Sequence, residues 1–388
     1  MPRALIPLAI GAFGIGSTEF VIMGLLPSIA DDFGVTVPAM GMVITAYAIG
    51  VVVGAPTLTL ISSKLSTRQT LITLMTIFVA GNLLAAVSPD YRLLTAARVL
   101  TALAHGSFFG VGAIAARRSV APERATQAIS LMFAGLTLAN VIGVPLGTWI
   151  GQHLGWRYVF AGIAVVGVVT IVALRALLPV DHHRIELRTE LSAFRRPQVW
   201  LGLGITTIGF GSLFAVYSYI SPILTTVSGI GAGQVTIVLA LFGIGTTIGT
   251  LAGGRFGDRW GLRAVAVGLL VVTGLMALFT VTADSVVFGA LTLVAFGMVA
   301  FSLGPIVQNR IIEAAGTGGS LVSAANQGAF NMANALGAAL GAAVLEAGWG
   351  YRAPMWVAAA LALAGFVLVL VSQATERRHR LHEPVPVG

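Results

Sequence analysis

About twelve apolar runs, each of some twenty residues, follow one another along the 388-residue chain. They lie roughly at 4–29, 38–60, 69–88, 92–115, 126–150, 157–178, 199–224, 233–254, 263–282, 285–309, 320–345 and 352–373. A helix of that length matches the hydrocarbon thickness of a bilayer, and inside lipid a single segment satisfies its own N–H and C=O groups only as a helix. Charged residues make up 9% of the chain, against roughly a quarter in soluble domains, which excludes a water-soluble fold. The expectation is an all-α integral membrane protein of twelve transmembrane helices. Met1-Pro2-Arg3 before an apolar run imitates a secretory leader, but the run is long, carries Glu19 and precedes many more spans, so a retained first helix is expected.

The chain has no cysteine, so disulfides, thiol chemistry and cysteine metal sites are ruled out. Its net charge of +8 would suit nucleic acid, yet the basic residues fall in short loops between spans, where orientation rules account for them. Eighteen Lys and Arg lie on the side of the N-terminus and three, Arg92, Arg157 and Arg352, on the other; Arg98 alone lies well inside a span. Both termini are therefore expected in the cytoplasm. The single long polar segment, Asp181 to Pro197 with Arg184, Arg188, Arg195 and Arg196, falls on the same side. It divides the chain into an N-terminal six-helix bundle (1–178), a linker (179–198) with room for a short surface helix, a C-terminal bundle (199–376) and a tail (377–388).

The two bundles repeat each other. At an offset of 194, Ala139-Asn140 with Gly143 and Gly147 falls on Ala333-Asn334 with Gly337 and Gly341. At 195, Ile49-Gly50 with Gly54 falls on Ile244-Gly245 with Gly249, and Pro27 on Pro222. A duplicated six-helix unit arranged about an axis along the membrane normal is the architecture of a transporter that rocks about a central site.

Among fourteen acidic residues, only Glu19 lies deep in a span. An ionisable group there is costly and points to function, which makes Glu19 a candidate proton site; the alternative is a structural carboxylate that is paired or simply protonated. Glu19 sits about ten residues from the outer end of span 1 and Arg98 about six from that of span 4, so their depths differ by roughly one helical turn. A direct or water-bridged pair is feasible. The charge of Arg98 and the cost of burying a carboxylate act on its protonation in opposite senses, and the sequence leaves the balance open.

Thr101, His105 and Phe109 share the helical face of Arg98, and Thr101 and Phe109 are expected on the wall of the substrate cavity. His105 is either a proton relay or a packed, hydrogen-bonded residue. Phe20 and Met23 share the face of Glu19. With Tyr47, Asn140, Phe210, Phe214, Tyr217, Phe301, Asn326, Phe330 and Asn331, they supply the aromatic and amide groups expected of a mostly apolar substrate cavity, although any one aromatic could equally be packing. Gly143, Pro145 and Gly147 in span 5 suit tight helix contact or gating. The stretch Gly253 to Arg263, with Gly257, Asp258, Arg259, Gly261 and Arg263, combines turn glycines, an acid and bases at a helix end, as a releasable latch would.

These residues carry a resemblance. Gly253 to Arg263 carries a Gly-x-x-x-Asp-Arg-x-Gly-x-Arg core, Arg98 occupies a span 4 arginine motif, and Gly143-Val144-Pro145-Leu146-Gly147-Thr148 is similar to the antiporter motif of span 5. Together with Thr18-Glu19-Phe20 and Leu25-Leu26-Pro27, they resemble the major facilitator superfamily over essentially the full chain. Within it the chain resembles the twelve-span drug:proton antiporters, in the variant of bacterial chloramphenicol-resistance and arabinose-related exporters. The resemblance implies proton-coupled efflux of small amphipathic compounds across the cytoplasmic membrane, driven by the proton gradient. Glu19 would be the proton-coupling acid, and no cofactor, metal or nucleic acid would take part; a monomer in lipid is expected. One departure stands out: the equivalent loop between spans 2 and 3, Leu60 to Arg68, has no acid, so a latch there is in doubt. The runner-up is export of a sugar, arabinoside or nucleoside. An enzyme is not expected, because a single deep acid and six scattered histidines offer no nucleophile or acid/base pair, and a channel is not, because no ring of charge is visible.

Overall fold

The computed structural model describes residues 3–35, 37–180, 187–316 and 319–382. Within these, the regular structure is entirely helical. The helices are α1 (Leu5–Phe33), α2 (Val37–Ile61), α3 (Thr67–Ala86), α4 (Tyr91–Arg118), α5 (Ala125–Leu138), α6 (Val144–Ile150), α7 (Trp156–Leu177) and α8 (Leu187–Ala193) in the first part of the chain. They are followed by α9 (Pro197–Gly204), α10 (Phe210–Tyr217), α11 (Ile220–Thr226), α12 (Ala232–Trp260), α13 (Leu262–Thr282), α14 (Val286–Ala315), α15 (Ser320–Glu346) and α16 (Ala353–His382). Expectations for Asp181, Arg184 and the last six residues fall outside the described residues.

Helix ends follow local chemistry. Gly34, at φ 63°, closes α1 in the left-handed conformation that glycine adopts without penalty. Ser66 and Gln69 form a reciprocal capping box at the start of α3, and the Asp90 carboxylate accepts from Leu93 N–H at 2.8 Å to start α4. Eleven stretches among the described residues are long and apolar enough to cross a membrane, one of them the 56 residues Pro122–Leu177. At about 1.5 Å per residue that stretch is more than twice the hydrocarbon thickness, and Gly155, at φ 112°, breaks it before α7. It therefore supplies two spans, in keeping with twelve. Inside it, Ala139–Gly143 and Gly151–Gly155 are wide π-helical turns. The first precedes Pro145, which has no N–H to continue an ordinary ladder. A third wide turn, Ile205–Gly209, separates α9 from α10.

The offset found in the sequence reappears in the packing. Contacts of α2 with α4, α3 with α7, α1 with α5 and α3 with α4 have counterparts in α12 with α14, α13 with α16, α10 with α15 and α13 with α14. Gly54 lets α2 approach the backbone of Leu103, and Gly249 lets α12 approach that of Met298, 195 residues further on; a Cβ at either glycine would overlap the neighbouring backbone. Between the halves, α5 packs on α12 and α2 packs on α15, again as counterparts.

The stretch read as a polar loop before span 9 is largely helical. α12 runs through Trp260, and the chain turns only at Gly261, at φ 51°.

Candidate functional site

Between the halves lies a cavity of about 970 Å³. α1 contributes Glu19, Phe20 and Met23; α4 contributes His105; α5 contributes Phe133, α6 Trp149, and the wide turns on either side of α6 Asn140 and Gln152. From the other half come Phe210, Phe214 and Tyr217 of α10, Phe242 of α12, Phe301 of α14, and Gln327, Phe330, Asn331 and Asn334 of α15. Among the described residues, Glu19 is the one carboxylate on this wall, and no Lys or Arg lines it. Phe210 meets Phe330 edge-on at 4.6 Å between ring centres, and Tyr217 stacks on Phe242 at 5.4 Å. The wall is thus apolar and aromatic with a few amides and one acid, which suits an uncharged or cationic molecule with a flat apolar part.

The cavity reaches toward the end of the bundle opposite the linker, where Met23, Trp149, Gln152, Ser218 and Ser221 are exposed. At the linker end the halves are joined. Asp258 accepts from the backbone N–H groups of Thr126 and Gln127 at 2.7 and 3.1 Å, so its carboxylate caps the first turn of α5 across the interface. Gly257 lets α12 close on Thr126. Asn309 donates to the Thr126 hydroxyl at 3.2 Å, Ser323 to the Gly110 carbonyl at 2.9 Å, and Arg117 faces Glu313 at 3.9 Å. Arg259 and Arg263 are exposed, Arg259 lying 5.7 Å over the Trp260 ring.

Arg98 does not pair with Glu19 in this arrangement. It is buried, and its Nη1 donates to the Thr18 carbonyl at 2.7 Å and the Thr18 hydroxyl at 2.9 Å, with its Nε left without a partner. The Thr18 hydroxyl in turn donates to Asn82 Oδ1 at 2.8 Å. The guanidinium lies 4.2 Å over the Tyr47 ring, and the Tyr47 hydroxyl sits 3.1 Å from His105 Nδ1. A continuous set of contacts therefore runs from Arg98 through Tyr47 to His105 and the cavity.

Four residues expected on the cavity wall are elsewhere. Tyr47 is buried beneath Arg98. The Thr101 hydroxyl bonds the Ala97 carbonyl and the side chain abuts Gly81 of α3. Phe109 is in the first half's core against Phe108 and Phe133. Asn326 joins Gln308 and Thr206 in a buried network, at 2.5 and 2.6 Å. In each case the side chain meets a neighbouring helix instead of the cavity. The sequence reading missed Phe133, Trp149, Gln152, Phe242 and Gln327, whose only signal was proximity to the predicted wall positions.

The profile of the Major Facilitator Superfamily matches residues 8–327. The chain belongs to the major facilitator superfamily. Its relatives include the inner membrane transport protein YdhP of Escherichia coli K12, 43% identical over 370 residues and 95% of each chain. The putative transporter AraJ of the same strain is 34% identical over the whole of both chains. A chloramphenicol resistance protein of Streptomyces lividans is 30% identical over 93% of this chain and 94% of that one. In fold, the chain is similar to FucP in an outward conformation, with a TM-score of 0.77 at 15% identity, covering 95% of this chain and 99% of that one. This is a multi-pass membrane transporter of the superfamily.

Proposed function

We propose that this transporter exports small amphipathic, chloramphenicol-like compounds in exchange for protons, with the linker and both termini in the cytoplasm. The observation that carries the reading is the cavity wall, which among the described residues is aromatic and apolar with Glu19 as its one carboxylate and no Lys or Arg. A carboxylate reachable from the cavity can exchange a proton with the same space that a ligand occupies, and competition between the two is the simplest form of antiport. With the linker cytoplasmic, the joined end is the inner one and the cavity faces outward, the state in which cargo leaves and a proton arrives. The similarity to a chloramphenicol resistance protein supports the substrate class, and Asp258 of α12, capping α5, serves as the inner latch, with Pro145 on the cavity wall and Gly143 and Gly147 letting span 5 close on Ser17 and Val21 of α1.

The amides Asn140, Gln152, Gln327, Asn331 and Asn334 on the same wall support the second reading, a sugar, arabinoside or nucleoside as cargo. Everted vesicles loaded with a pH-sensitive dye separate the two. Chloramphenicol-class compounds are expected to release protons saturably and sugars not at all, and the opposite pattern would exchange the readings. Proton release with neither class would overturn both.

A further inference from the structure

Among the helices that begin at the linker end without a side-chain cap from their own N-cap residues are α5, preceded by Arg124, and α15, preceded by Gly319. Each is met by a carboxylate from elsewhere. Asp258 accepts from Thr126 and Gln127 at 2.7 and 3.1 Å. Glu190 accepts from Ser320 and Leu321 at 3.2 and 2.8 Å, and these are the two positions 194 residues further on. The N–H groups opening a helix attract an anion, so the two ends solve one problem in one way.

The origins of the two acids differ. Asp258 reaches from the second half to a helix of the first. Its counterpart at an offset of 195 is Ser63, in a stretch without any carboxylate. Glu190, by contrast, belongs to α8 in the linker, is 4% exposed, and α8 packs on α14 and α15 of the second half. The cap on α15 therefore ties nothing across the interface.

We propose that Glu190 is a positioning residue that docks the linker on the second half and caps α15 throughout the transport cycle, so that of the two helix caps only the one on α5 opens and re-forms. The proposal rests on the function proposed above, in which the linker end is closed while the cavity faces outward and opens when the transporter turns inward. Its consequence is a lopsided inner gate: the α5–α12 side carries a charged latch, and at the α2–α15 side the equivalent N-terminus travels with its acid already in place.

Because the chain has no cysteine, spin labels at Ala121→Cys and Arg255→Cys report the separation of the inner ends in proteoliposomes without background. Asp258→Asn is expected to raise the long-distance population at least threefold. Glu190→Gln is expected to leave the distribution unchanged while speeding tryptic cleavage of the linker at least fivefold. Ser63→Asp is expected to do nothing alone, because Glu190 holds the site, and to raise the short-distance population in the Glu190→Gln background by supplying a cap from across the interface. If Glu190→Gln widens the distribution as Asp258→Asn does, its cap opens during the cycle and the proposal fails. Unchanged linker cleavage would also overturn it. An unaltered distribution in Asp258→Asn would instead strike at the latch reading, with the cleavage assay still deciding the role of Glu190.

Discussion

The guanidinium of Arg98 is held by the backbone carbonyl of Thr18 at 2.7 Å, one residue away from Glu19. The positive charge is therefore fixed close to the acid without being spent on it, and the carboxylate stays on the cavity wall. A proton carrier needs this freedom, since only a group whose protonation differs between conformations can bias their balance.

Glu19→Gln keeps the shape and hydrogen bonding of the protonated acid but cannot release a proton. Ligand binding is expected to persist within about threefold, uphill efflux to be lost, and ligand affinity to become flat between pH 6 and pH 8. Parallel binding and vesicle efflux titrations check this. Wild-type uphill efflux with wild-type pH dependence would remove Glu19 from the proton path.

Arg98→Ala deletes two charge-assisted hydrogen bonds to Thr18 and the contact with the Tyr47 ring. Charged hydrogen bonds of this kind are each worth about 1.5–3 kcal/mol, so the variant is expected to unfold in detergent well below the wild type. Arg98→Lys retains the charge but not the fork geometry, and should recover part of the melting temperature. Equal thermal stability of Arg98→Ala and the wild type would mean that this clamp carries no structural weight.

Phe330→Ala and Tyr217→Ala each break a ring pair on the cavity wall. Each also removes a ring that aromatic cargo can pack on, and one such ring contact contributes about 0.5–1.5 kcal/mol beyond the area it buries, which predicts a rise in Kd of roughly twofold to tenfold for aromatic cargo. Phe109→Leu, buried behind the wall against His105 and Phe133, is expected to change Kd less than either while lowering stability. Equilibrium binding of the three variants tests the division.

Asp258→Asn leaves the first N–H groups of α5 facing a neutral amide in place of a carboxylate. Folded protein is expected in the membrane at wild-type levels, with steady-state transport reduced at least tenfold. Wild-type turnover at matched expression would reduce Asp258 to a topology signal.

Much of this was legible in the chain itself. The apolar runs fixed the class because lipid allows a lone segment no other backbone solution, and the common offset foretold the matching contacts of Gly54 with Leu103 and Gly249 with Met298. Glu19 stood out because it had no competitor at its depth. What the sequence withheld was azimuth relative to neighbours: a helical wheel groups Arg98, Thr101, His105 and Phe109 correctly, yet only His105 reaches the cavity, because the rest of that face is covered by other helices. Glu190 was equally hidden. In one dimension it is one acid in a polar linker, and its task follows only from where α15 begins.

The wide turn at Ile205–Gly209 has no partner in the other half, since the offset carries it onto the unbroken middle of α1. The duplicated frame has thus been kept while its two inner linings have parted company. The acid sits on the straight helix of one half, and a cluster of rings on the interrupted helix of the other. On the proton-exchange function proposed above, proton and cargo address opposite partners, so that neither bundle alone contains a complete coupling device, and an exchange of one bundle with that of a relative would transplant half of a bargain.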